Sequence, residues 1–133
     1  KIAETGISPE KSTVVIMGIT FKENLSDIRN SKVIDIINRL KEYGIEPIVT
    51  DPKASFDAIK KEYGIELTAL ESTPKADCII VAVGHKEYRA MSLMQIKKMF
   101  KSNLANKQKV LIDVKSLYRI DELEASGMKF WRL

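Results

Sequence analysis

TVVIMGITFKENLSDIRNSKVIDIINRLKEYGIEPIVTDP, residues 13–52, decides the fold. Thr13–Ile19 is a β-branched, apolar run without alternation that closes on glycine, the pattern of a strand buried on both faces. Val33, Ile34, Ile36, Ile37, Leu40 and Tyr43 then recur at three- and four-residue spacing, which draws one apolar stripe along a helix. Asn30 or Ser31 can cap its start, and Gly44 stands where a helix end needs a left-handed residue. Ile45–Thr50 begins a second strand, closed by Asp51 and Pro52. Between the first strand and the helix lies GITFKENLSDIRNS, residues 18–31, an insert dense in charged and amide groups.

Outward from this unit the alternation continues. Phe56, Ile59 and Tyr63 mark a shorter helix stopped by Gly64 and followed by the apolar positions Ile65, Leu67 and Leu70. KEYGIE occurs at 41–46 and again at 61–66, the same helix-to-strand junction used twice rather than a repeat architecture. Asp77–Gly84 (DCIIVAVG) is a further strand, Ser92 caps a helix carrying Leu93, Ile96, Met99 and Phe100, and Lys109–Val114 (KVLIDV) is another strand. A helical DELEAS, Gly127 and a final MKFWRL strand close the chain, with Phe130 and Trp131 expected in an edge-strand core. Strands alternating with helices predict an α/β, doubly wound, mostly parallel sheet of about five or six strands, joined by right-handed crossovers with helices on both faces, Rossmann-like.

Composition narrows the function classes. At 133 residues, 44% hydrophobic and 30% charged, the chain suits one buried core. No apolar run is long enough to cross a bilayer and residues 1–12 do not resemble a secretory signal, so the reading is a soluble, cytoplasmic protein with no membrane role. One cysteine and one histidine exclude an internal disulfide and leave too few soft ligands for a zinc site, so no metal is expected. The net charge of +4 comes from cations interleaved with acids, the pattern of a solvated face, and no nucleic-acid partner is expected.

In a doubly wound sheet, ligands sit beyond the carboxyl ends of the strands, where strand order reverses. The segments 18–30, 84–89 and 115–119 should converge on that rim, and all three carry cations. A dinucleotide fingerprint would need G-x-G-x-x-G, and only Gly18 is present. A phosphate bound here would therefore be met largely by side chains, with Lys22 and Arg29 as candidates, aided by the amino end of the helix near 30–33. Asp51 occupies the place of a ribose-binding acid, but Asp before Pro also reads as a routine turn, and it is left outside the site. His85 and Lys86 follow a strand end at the crevice, where a lone histidine reads as a solvent-facing loop residue. Asn24 and Asp27 orient the basic pair or cap the helix.

The stretch GITFKENLSDIRNS resembles the G-[LFI]-[AT]-F-K-x-x-T-x-D-x-R-x-S motif that opens the carboxyl-terminal domain of UDP-glucose/GDP-mannose-type nucleotide-sugar dehydrogenases. The resemblance continues through VAVGHKEYR, LIDVKSLY and the closing FWRL, so it covers residues 14–133. DVK and the terminal WRL are most similar to the branch acting on UDP-N-acetylhexosamines. The resemblance implies that Phe21 and Lys22 contact a UDP-sugar, with Lys22 as a charge partner, and that Arg29 reaches NAD bound on a preceding domain. It also implies a second basic substrate contact after the KVLIDV strand, where many members have Arg and this chain has Lys115, a point charge without a planar bidentate face.

The resemblance further implies an NAD-dependent enzyme that oxidises the sugar C6 alcohol to a carboxylate through a cysteine thioester, with NAD-binding and helical domains upstream and a homo-oligomeric whole. Residues 1–12 then read as the connector from the missing neighbour and 13–133 as the nucleotide-sugar-binding domain. Cys78 lies inside DCIIVAV, where burial makes a thiol inert, so no catalytic residue is assigned and the fragment alone is expected to be inactive. The rival reading is a non-catalytic nucleotide-sugar or phosphate-ligand sensing module, which the same cations would serve. A phosphoacceptor receiver is disfavoured, because the first strand ends in Gly-Ile-Thr-Phe-Lys rather than in acids.

Overall fold

Val14–Met17 (β1), Ile48–Thr50 (β2), Cys78–Val81 (β3), Val110–Asp113 (β4) and Lys129–Arg132 (β5) form one five-stranded sheet in the computed structural model, which describes residues 11–29 and 31–132. The order is β2-β1-β3-β4-β5 and every pairing is parallel. The chain first moves from β1 outward to β2 and then returns past β1 to β3, so strand order reverses between β1 and β3. The expected connector, residues 1–12, lies for the most part outside the described residues, as does the expected cap Asn30.

Both faces of the sheet are covered, as the unbroken apolar runs require. Val14, Ile16, Cys78 and Ile80 share a core with Val33 and Ile37 of α1 (Val33–Glu42) and Ile59 of α2 (Phe56–Tyr63). Val15, Met17, Ile79, Val81 and Leu111 turn the other way, toward Tyr88 of α3 (Lys86–Arg89), Ile96 of α4 (Leu93–Lys97) and Leu123 of α5 (Ile120–Ser126). The period of two is therefore real inside runs that carry no polar alternation. Ser92 and Gln95 form the reciprocal cap that opens α4. Gly44 and Gly64, the two KEYGIE glycines, both follow helix ends with positive φ, +79° and +70°.

Three expectations change. β2 is only Ile48–Thr50, because Ile45 packs into the core just after the helix end rather than pairing. The helix after Ser92 stops at Lys97, and Phe100 instead packs as a bridge against Ala76. Phe130 does pack beside the α4–α5 core, but Trp131 points to the opposite face and is 42% exposed. β5 is an edge strand, and its neighbour Ile112 on that face is itself only partly buried. No helix among the described residues is long and apolar enough to cross a membrane.

Gly18 explains how the chain leaves β1. Its φ is +105°, and a Cβ there would lie 2.6 Å from the Val83 Cβ. Only a residue without a side chain lets the exit of β1 press against the end of β3.

Candidate functional site

Beyond the carboxyl ends of β1 and β3 lies a cavity of about 580 Å³. Ala82 and Val83 supply apolar surface from the exit of β3, while the segment after β1 contributes Thr20, Phe21, Lys22, Glu23 and Leu25. Lys32 and Val33 enter from the start of α1, and Lys115 from the loop after β4. Three of the four residues expected at the site, Phe21, Lys22 and Lys115, thus line one cavity although up to 94 positions separate them (115 − 21). Phe21 is 42% exposed, and the Lys22 ammonium sits 5.7 Å from the centroid of its ring. The cavity therefore presents ammonium groups beside an aromatic face and an apolar floor.

Arg29 is placed elsewhere. Its guanidinium donates to both carboxylate oxygens of Asp27, at 3.1 and 3.2 Å, with 82% of its side chain exposed. Hydrogen bonding to Arg29 holds the Asp27 carboxyl below its ordinary range and raises the guanidinium in turn. Asp27 therefore orients one member of the expected basic pair, and its carbonyl closes residues 21–27 into a hairpin loop by accepting from the Phe21 N–H at 2.7 Å.

The helix start is less open than its sequence suggests. Ser31 Oγ accepts from the Val33 N–H at 3.2 Å and donates to the Ile19 carbonyl at 2.6 Å, tying the amino end of α1 back to the end of β1. Lys32, which no spacing or motif singled out, is the third cation of the cavity because it immediately precedes α1.

The hairpin is anchored by residues read differently from sequence. Asp51 is 4% exposed, and its carboxylate serves the expected turn and a second group of N–H donors at once. Its Oδ2 accepts from the N–H groups of Ile19 and Thr20 at 2.7 and 3.1 Å, and its Oδ1 from those of Lys53 and Ala54 at 2.7 and 3.1 Å. His85 is fully buried, not solvent-facing, with Nε2 3.0 Å from both Asp51 Oδ2 and Thr20 Oγ1. The Asn24 N–H donates to His85 Nδ1 at 2.8 Å, and Asn24 Oδ1 accepts from the Lys86 N–H at 2.7 Å. Glu23 pairs with Arg89 at 3.1 Å across the same junction.

On the other flank Asp113, fully buried at the end of β4, accepts from the Leu117 and Tyr118 N–H groups at 3.0 and 2.9 Å. Ser116, next to Lys115, holds a φ of +56°, and Asn24 a φ of +61°. Non-glycine residues in this region cost on the order of 1 kcal/mol or more and persist where their surroundings over-determine them, commonly at functional sites. Cys78 is 2% exposed in the core, and burial pushes its thiol up to about 12. Among the described residues no three His, Cys, Asp or Glu gather as metal ligands would.

Comparison with known proteins bears on this arrangement. Protein CapL of Staphylococcus aureus is 37% identical over 133 residues, 100% of this chain and 30% of its own. A UDP-N-acetyl-D-glucosamine 6-dehydrogenase of Pseudomonas aeruginosa is 40% identical over 116 residues, 87% of this chain and 26% of its own. The crystal structure of an NDP-N-acetyl-D-galactosaminuronic acid dehydrogenase from Methanosarcina mazei Go1 superposes with a TM-score of 0.82 at 26% identity, covering 98% of this chain and 26% of that one. The chain thus spans 26–30% of the length of these two curated relatives. A family model matches residues 15–120, from β1 to the first residue of α5. With the reversed sheet order and the cationic rim already in place, the chain belongs to the UDP-glucose/GDP-mannose dehydrogenase family and comprises its UDP binding domain.

Proposed function

We propose that the cavity after β1 and β3 holds the UDP moiety of a nucleotide sugar, with Lys22 and Lys115 facing its diphosphate and Phe21 offering an apolar face to the ligand. The observation that carries this reading is the convergence of Phe21, Lys22, Lys32 and Lys115 on one cavity at the strand reversal. The full-length protein is then an NAD-dependent UDP-sugar 6-dehydrogenase, cytoplasmic and homo-oligomeric, that oxidises the C6 alcohol to a carboxylate. The relatives named for UDP-N-acetylhexosamine chemistry favour that substrate branch.

The residues present here do not fit a dinucleotide held by this chain. Gly18 accommodates Val83 rather than a pyrophosphate, and the Asp51 carboxylate is filled by four backbone N–H groups. NAD therefore belongs to an upstream domain, and Arg29, outside the cavity and exposed, is the residue of this chain that would face it. The buried Cys78 is no nucleophile, so the chain alone should bind without turning over.

Charged hydrogen bonds contribute about 1.5–3 kcal/mol each, so two or three of them, less the cost of association, give sub-millimolar to millimolar affinity. Calorimetric titration of the chain with UDP, UDP-glucose, UDP-N-acetylglucosamine and GDP-mannose tests this. Uridine ligands should give saturable heat that Lys22→Ala diminishes. Equal heats from the guanosine ligand, or none from UDP, would refute the reading.

A further inference from the structure

We propose that His85 is the positioning residue of the nucleotide cavity, its buried ring fixing the hairpin conformation in which Phe21 and Lys22 face the ligand. The inference rests on the reading of the cavity as a UDP site and concerns how that site is held in shape. His85 is fully buried and does not line the cavity, so it acts through the hairpin rather than on the ligand.

The ring nitrogens have separate tasks. Nδ1 accepts from the Asn24 N–H at 2.8 Å, so it carries no hydrogen and the ring proton sits on Nε2. Nε2–H points between Asp51 Oδ2 and Thr20 Oγ1, each 3.0 Å away. The Thr20 hydroxyl, already accepting from the ring, donates its own hydrogen to the Lys22 carbonyl at 3.1 Å. One ring is thereby tied to the backbone on both sides of Glu23, at Lys22 through Thr20 and at Asn24 directly. The left-handed backbone at Asn24, φ +61°, is what this tie and the Lys86 N–H bond maintain. Tyr88 packs against the ring with centroids 5.8 Å apart, closing its remaining side.

The two nitrogens can be tested apart. In His85→Asn an amide oxygen lies close to the place of Nδ1 and still accepts from Asn24, whereas His85→Gln extends toward the partners of Nε2 and leaves Asn24 without its acceptor. Both variants lose part of the buried network, so both melting temperatures should fall. UDP affinity, measured calorimetrically on the chain, should fall roughly tenfold in His85→Gln and stay within roughly threefold in His85→Asn, the difference one hydrogen bond makes. Affinity that tracks melting temperature in both variants, or that neither variant changes, overturns the inference while leaving the UDP site intact. Absence of UDP uptake by the unsubstituted chain overturns the site itself, and the inference with it. Nitrogen-15 spectra of the imidazole give an independent reading: the hydrogen should reside on Nε2, and a hydrogen on Nδ1 would refute the assignment.

Discussion

The loops after β1 and β4 form two flanks of one cavity, and they are held in opposite ways. The first is anchored from outside, by Asp51 at the end of β2 and His85 after β3, residues 31 to 65 positions away from the groups they bind. The second is anchored from within, by Asp113 on its own strand, four and five positions before the N–H groups that it accepts. The difference follows from which strand exits carry an acceptor: β1 lies between β2 and β3, whose exits carry Asp51 and His85, whereas β4, equally flanked by β3 and β5, carries its own acceptor, Asp113, at its last position.

The sharpest way to break this comparison is to remove the two aspartates. Asp51→Ala leaves four backbone N–H groups without their acceptor and His85 Nε2–H with Thr20 Oγ1 alone, and should destabilise the chain by about 3–5 kcal/mol in urea unfolding. Asp113→Ala affects two N–H groups and should cost about 2 kcal/mol. Equal losses would mean that the outer anchors add nothing. Next come the cations: Lys22→Ala should weaken UDP binding roughly tenfold and Lys115→Ala roughly fivefold, with unfolding midpoints unchanged, since both side chains are exposed.

A pH test addresses the second loop. Burial pushes the Tyr118 hydroxyl up to about 12, with Asp113 adding to the effect, and that hydroxyl donates to the Met91 carbonyl. Its folded value lies above the unfolded one, about 10, so its contribution is intact below pH 10 and disappears as pH rises through about 12. Alkaline unfolding followed by phenolate absorbance should show this loss, reduced in Tyr118→Phe. Tyr88 behind the first loop is also pushed up by burial, so Tyr88→Phe compared with Tyr118→Phe separates the two sides. The smallest effect is expected from Arg29→Ala, which breaks only an exposed ion pair outside the cavity. Its UDP affinity and melting temperature should match those of the unsubstituted chain.

What could be read in advance was local or periodic. The apolar stripe of α1, the unbroken strands and the glycine inside each KEYGIE are written in neighbouring residues, so strands, helices and a cation-lined cavity on the rim were legible. Lys22 follows from the cationic insert itself, Phe21 and Lys115 from motif resemblance alone, and one cavity gathers all three. His85 was misread because nothing near it in the chain signals that Thr20, Asn24 and Asp51 fold around it. Asp51 before Pro52 looks like any turn until the four N–H groups converge on it, two of them from the distant exit of β1. Trp131 fails for the complementary reason: aromatic character predicts burial, but which face a strand residue meets depends on which helices cover that edge.

The sharing of one carboxylate by two turns limits how the domain can be taken apart. Because Asp51 ties the exit of β1 to the entrance of α2, lengthening the 51–55 turn would be felt at Thr20 before it was felt at the ligand. Residues 18–31 transplanted onto another parallel sheet would arrive without their scaffold and collapse unless 51–54 and 84–86 travelled with them. The heritable unit is thus a discontinuous patch of three short segments, not a motif.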